Sequence, residues 1–216
     1  MFITMRKTVL ALSLIGAVGV SHATPLNIDI PTANVDTSSF FGGTLLATAI
    51  TSISNSSYTG TARTAVYDTG TGLDFYYQFT NDAISQNGIE RFTGYDYSSL
   101  GSSTVNVFQT NQVFGIFVAG TKQSEYADRG QFGVIGFNFV PNGDSKIYPG
   151  TTSFTQIVRT NARDYSAGNF ALIDGFATNV AGFAPAVPEP ETYALLLAGL
   201  GLMGTIARRR NRSKPV

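Results

Sequence analysis

With 216 residues and Lys plus Arg balanced against Asp plus Glu at 14 each, the chain has room for one ordinary domain and carries no overall charge. The balance hides an asymmetry. Arg6 and Lys7 lie at the front and Arg208, Arg209, Arg210, Arg212 and Lys214 in the tail, so residues 24–187 keep 7 basic against 12 acidic residues, a net of −5. Such a body lacks the basic face that phosphates require and excludes a nucleic-acid partner. The absence of cysteine excludes disulfides and thiolate chemistry.

In chain order, Arg6-Lys7, the apolar run 9–20 and Ser21-His22-Ala23 form the three parts of a secretory signal, with cleavage expected after Ala23. The run is too short for an anchor, since a spanning helix wants roughly 20 residues. His22 is the only histidine and falls in the removed segment, so the mature chain is expected to lack both histidine and cysteine. That excludes Ser-His-Asp and Cys-His nucleophile systems, histidine general bases and zinc sites built on His or Cys.

The middle of the chain is rich in Gly, Phe, Tyr, Thr, Ser and Val, a composition suited to strands and tight turns. Residues 26–30 open an extended stretch, and a turn-rich passage over 38–43 leads into the apolar segment 44–53. Residues 61–67 and 73–80 read as a β-hairpin joined by Asp68-Thr69-Gly70-Thr71-Gly72, whose glycines suit the positive φ of hairpin turns. In 73–80, Leu73, Phe75, Tyr77 and Phe79 alternate with Asp74, Tyr76, Gln78 and Thr80, which predicts one buried and one wet face. Tyr76, on the predicted wet face, is the tyrosine best suited to touch a ligand.

Further strands are expected within 89–97, 104–108, 113–118, 132–140, 154–160 and 170–177, the fourth of these ended by Pro141-Asn142-Gly143-Asp144. About nine short strands with no amphipathic helix between them predict an all-β domain, a single β-sandwich or jelly roll over 24–187, large enough to need no metal or disulfide. Most of the aromatic residues are expected in its core.

Three motifs touch on chemistry. Asp68-Thr69-Gly70 after an apolar strand resembles the active-site loop of aspartic proteases, whose two aspartates share a proton. The second aspartate is absent, because Asp174-Gly175 lacks the intervening Thr or Ser; only a homodimer could supply it, and a hairpin turn is the preferred reading. Gly199-Leu200-Gly201-Leu202-Met203-Gly204 fits the dinucleotide pattern literally but follows no strand and lies in an apolar run, so it is read as small residues in a helix. Asp144, Asp164 and Asp174 lack the alternating spacing of a calcium loop and read as turn residues, and Asn55-Ser56-Ser57 fits a glycosylation pattern that arises often by chance.

The tail has three ordered parts: Val187-Pro188-Glu189-Pro190-Glu191-Thr192, the uncharged run 193–207 of 15 residues, and the cluster Arg208, Arg209, Arg210, Arg212. The run makes about 22 Å of helix, short of a bilayer core near 30 Å, and the flanking arginines can extend it by snorkelling. By the positive-inside rule it is expected to span the inner membrane with its C-terminus in the cytoplasm and the body outside.

Joined to a signal peptide, this tail resembles the PEP-CTERM sorting domain of Gram-negative bacteria, with Pro188, Glu189 and Pro190 as the signature triad. The resemblance implies processing by an exosortase, a membrane protease-transpeptidase that cleaves near the triad and passes its substrate to the cell surface or exopolysaccharide. In that role the triad is recognised and catalyses nothing. The expected organisation is a signal peptide over 1–23, a sandwich passenger over 24–187 and a sorting segment over 188–214. The expected function is an exported, non-enzymatic protein with no cofactor, made through signal peptidase and the Sec machinery, with a structural or adhesive part in exopolysaccharide or biofilm. A carbohydrate-binding module and, more remotely, a dimeric aspartic protease using Asp68 are the alternatives.

Overall fold

The computed structural model describes residues 24–30, 32–33, 35–38, 42–94, 97–140, 146–186 and 195–203. In chain order the strands are β1 (Thr24–Pro25), β2 (Thr32–Ala33), β3 (Thr44–Ser54), β4 (Thr59–Asp68), β5 (Leu73–Asn81), β6 (Arg91–Gly94), β7 (Asn106–Thr110), β8 (Tyr126–Arg129), β9 (Ile135–Asn138), β10 (Thr155–Arg159), β11 (Tyr165–Asp174) and β12 (Phe176–Pro185). They form two six-stranded antiparallel sheets, ordered β1-β7-β10-β5-β4-β3 and β12-β11-β6-β9-β8-β2. The hairpins β3–β4, β4–β5, β8–β9 and β11–β12 stay within one sheet, whereas β5–β6, β6–β7, β7–β8, β9–β10 and β10–β11 cross between sheets. An all-β body of two facing sheets is what the strand composition predicts.

One apolar core joins the sheets, with Val66, Phe75, Tyr77 and Phe79 from the first and Phe92, Phe137, Phe170 and Leu172 from the second. Its rings meet edge-on or tilted, the favoured aromatic geometries: Tyr77 to Phe170 at 5.4 Å and Phe92 to Phe139 at 4.9 Å between centroids. Two tyrosine hydroxyls inside the core are partnered. Tyr77 and Tyr97 share a 2.6 Å hydrogen bond, and the Tyr77 hydroxyl donates to the carbonyl of Phe183 on β12 at 2.9 Å, fixing the last strand to the middle of the opposite sheet. Burial raises both phenols above their ordinary value, so they act as neutral donors.

Two polar devices hold the loops. Arg129 is 1% exposed, and its guanidinium donates to the carbonyls of Tyr97, Leu100 and Gly101, closing the 97–101 loop onto β8. Gln109 donates to the carbonyls of Val35 and Ser124 and accepts from the Ser124 amide, tying the incoming chain and the 124 region to β7.

The structure revises the expected strand set. β8 and β12 fall in stretches assigned to no strand, except that 170–177 touches the start of β12, because their alternating burial is not matched by alternating apolar and polar residues in Tyr-Ala-Asp-Arg or in Phe-Ala-Thr-Asn-Val-Ala-Gly-Phe-Ala-Pro. Residues 113–118 are not a strand: Phe114 and Phe117 pair with each other across a tight turn. The predicted wet face of β5 is buried. Of its residues 73–81, only Thr80 is partly exposed. The turn over Pro141 to Asp144 lies outside the described residues.

Candidate functional site

The outer face of β5 is where the sequence places its strongest candidate for a ligand contact, and the structure closes it. β4, β7 and β10 bring Ala65, Tyr67, Phe108 and Ile157 beside Tyr76, and the 111–118 turn lays Phe117 on top, making a second apolar cluster on the outside of the first sheet. Tyr76 is 0% exposed. Gln78 holds the turn down: its side chain accepts from the Val118 amide at 3.0 Å and donates to the Val118 carbonyl at 2.7 Å. This corrects the reading of Tyr76 as a ligand contact; a polar alternation reports wet positions only when no other segment covers them.

Asp74, on the same face, is also fully buried and meets Arg159 of β10 in a forked pair, with Arg159 Nε at 3.0 Å from Oδ1 and Nη2 at 2.7 Å from Oδ2. Burial pushes the Asp74 carboxyl up, and the Arg159 guanidinium pulls against that rise without cancelling it. Burial likewise opposes the charge of Arg159, but Asp74 holds the guanidinium above its ordinary value. The guanidinium also lies over the Phe108 ring, 5.4 Å from its centroid. The cluster is a hydrogen-bonded ion pair with aromatic walls, Asp74 enclosed and Arg159 partly exposed, which organises packing between β5 and β10.

Asp68 stands at the end of β4 and is exposed. Its Oδ1 accepts from the Gly70 amide at 2.7 Å, Thr69 closes onto the Gly72 carbonyl at 3.0 Å, and Gly70 takes a φ of +82°, so the Asp-Thr-Gly stretch forms the β4–β5 hairpin turn. Asp174 accepts from the Ser57 hydroxyl at 2.5 Å, and the Asn55 side chain caps the β3–β4 turn by accepting from Ser57 and Tyr58 at 2.8 Å each. Among the described residues no three His, Cys, Asp or Glu side chains gather to hold a metal; Asp144 lies outside them.

The C-terminal end is organised differently. β12 pairs with β11 over ten residues, from Asp174↔Phe176 to Tyr165↔Pro185, and the Ala186 amide closes onto the Asp164 carbonyl at 3.0 Å. The sheet ends there. Further on, residues 195–203 form a helix, α1, all of whose residues are exposed, including Leu195, Leu197 and Met203 at 69% each. The described part of the β-body covers none of this apolar helix, which leaves its face for a different, apolar environment. No helix among the described residues is long and apolar enough to cross a membrane, so the expected span over 193–207 is seen only as the nine residues of α1.

The family profile of the PEP-CTERM protein-sorting motif matches residues 186–211, beginning at the residue that closes β12, so the chain carries a PEP-CTERM sorting segment behind its β-body. The match takes in Pro188, Glu189, Pro190, Arg208, Arg209 and Arg210, while Arg212 falls one residue beyond it. These residues and Ala23 lie outside the described ones. No curated relative and no solved structure matches the chain.

Proposed function

We propose that this protein is a cargo whose β-body has a non-enzymatic, structural or adhesive part in the exopolysaccharide at the cell surface, reached through recognition of Pro188-Glu189-Pro190 by an exosortase. The match over 186–211 carries the sorting part of this reading. In the sequence of events we infer, the Sec machinery exports the chain, signal peptidase cuts after Ala23, and the run 193–207 holds the precursor in the inner membrane. Arg208, Arg209, Arg210 and Arg212 then keep the C-terminus in the cytoplasm.

Physically, proline disfavours helix and favours extended backbone, so a Pro-Glu-Pro triad suits recognition in a protease cleft beside the bilayer. The body's share rests on chemistry: a mature chain without histidine or cysteine, and carboxylates engaged by the fold at Asp74 or by turns at Asp68 and Asp174.

The test is a surface-reporter fusion in an exosortase-bearing host. Pro188→Ala/Pro190→Ala is expected to leave the precursor uncut in the inner membrane, whereas wild type is cut and delivered; equal processing of the two would sink the reading. A glycan array probed with the delivered form tests the body, and saturable binding to a defined sugar would move it to a carbohydrate-binding module.

A further inference from the structure

The two flanks of the sandwich are built unequally. On one flank the sheets end in β1 and β2, two residues each, and β1 contains Pro25, so little backbone is left there for a partner. On the other flank the first sheet ends in β3, eleven residues long. One side of β3 pairs with β4 from Thr44↔Asp68 to Ser54↔Thr59, and no described strand lies on its other side.

Beyond the irregularity near its start, where the Tyr165 hydroxyl also lies 3.5 Å from the Leu46 carbonyl, β3 carries none of the usual guards of an edge. Its sequence, Thr-Leu-Leu-Ala-Thr-Ala-Ile-Thr-Ser-Ile-Ser, has no charge and no proline. The single irregularity lies between Leu45 and Ala47, leaving residues 47–54 in unbroken register with β4. Arg63, opposite Ile50, is the nearest charge that could guard the middle, but its guanidinium turns the other way and donates to Thr80 on β5 at 2.8 Å. Ile50 remains 60% exposed and Leu45 50%. β12, the other edge on this flank, packs against β3 and β4, buries Val180, Gly182 and Ala184, and ends in Pro185, so it is the less open of the two.

We propose that β3 is the edge at which two copies of this chain join, antiparallel about a twofold axis, to continue the first sheet from one body into the next. In an antiparallel ladder every second residue turns both its N–H and its C=O to the same side, so the free side of β3 offers a self-complementary row of donors and acceptors. The partner is a second copy because an uncharged edge meets itself without repulsion, and a twofold contact closes after two bodies. Copies held together in one membrane during sorting also meet at raised local concentration. Only this last argument rests on the proposed membrane-held precursor; the edge itself belongs to the folded body.

The cysteine-free sequence makes the test direct. Full-length chains carrying one cysteine at Thr48, Ala49, Ile50 or Thr51, or at the exposed reference positions Ile84 and Phe132, are oxidised in membranes and run on non-reducing gels. Facing residues of an antiparallel pair lie about 4.5–5.5 Å apart at Cα, within disulfide reach. The expected result is a disulfide dimer that peaks at one or two adjacent β3 positions and is absent at Ile84 and Phe132. Equal cross-linking at all six positions, none on β3, or a β3 product with a different protein would each overturn the proposal.

In sedimentation of the detergent-solubilised full chain, Ile50→Lys should raise the dimer dissociation constant about tenfold, as like charges near the axis oppose pairing. Its thermal midpoint as a monomer should stay that of wild type. A dimer unaffected by Ile50→Lys, or a species larger than a dimer in the wild type, would also overturn it.

Discussion

Arg91 on β6 reaches across β9 to Asp128 on β8 and meets it with two hydrogen bonds, Nη1 to Oδ2 at 2.5 Å and Nη2 to Oδ1 at 2.7 Å, while Asn138 donates to the same carboxylate at 2.7 Å. The bridge needs Gly136 beneath it: a Cβ there would stand 1.9 Å from Arg91 Nη2. Burial pushes the Asp128 carboxyl up, but the hydrogen bonds and charge of Arg91 and the Asn138 amide outweigh that and hold it below the usual carboxylate value. A carboxyl held low contributes stability that is present above its unfolded value, near 4, and is lost as pH falls through the folded value. Asp128→Asn should therefore lower the urea midpoint at pH 7 and shrink the further loss between pH 7 and pH 3. A pH dependence identical to wild type would contradict this account. Of this site the sequence shows a glycine in a strand and three polar residues, Asp128 and Asn138 on one hairpin and Arg91 well before it; only sheet order puts β6 beside β9.

The element that most changes the molecule's surface is the 111–118 turn. Its apolar residues Val113, Phe114, Ile116 and Phe117 have a strand's composition, which is why a strand was the natural expectation there. The fold uses two of them as a cover, Phe117 at 1% exposure against Tyr76 and Ile116 packed on the same cluster, while Val113 and Phe114 stay exposed. Phe117→Ala should cost about 3 kcal/mol by chemical denaturation, the usual loss for deleting a buried ring. It should also raise the solvent accessibility of Tyr76, read by tyrosine fluorescence quenching. A cost below about 1 kcal/mol would show that the turn does not hold this face closed. The alternation of residues 73–80 was legible and its inner face correct. Its outer face was misjudged because Asp74 and Gln78 are polar but fully partnered, and partnered polar groups can be buried.

For the whole molecule, the hydrogen bond from Ala186 to Asp164 marks where the body ends. A chain stopped after Ala186 should keep the thermal midpoint of the full chain within about 2 °C, since every strand of both sheets is retained. A chain stopped after Asp174 loses β12 and with it Val180, Ala184 and the Phe183 carbonyl that the Tyr77 hydroxyl binds; it should fail to give a cooperative melt. Equal melts for the two would place the boundary before β12.

What the sequence determined by itself is whatever depends on local order along the chain. The sorting segment is such a feature, because a membrane and a protease read residues in succession, and its match over 186–211 needs no fold. The β class, the hairpin at Asp68 and the inner face of β5 are legible for the same reason: turn chemistry and period-two patterning act over a few residues. The tertiary structure alone decided the rest. The pairing of Asp74 with Arg159 is 85 positions distant, the cover over Tyr76 belongs to a separate loop, and the openness of β3 depends on which strand ends the sheet. Burial and edge position are properties of what lies alongside a segment in space, and neighbours in space are set by sheet order, which no local pattern encodes.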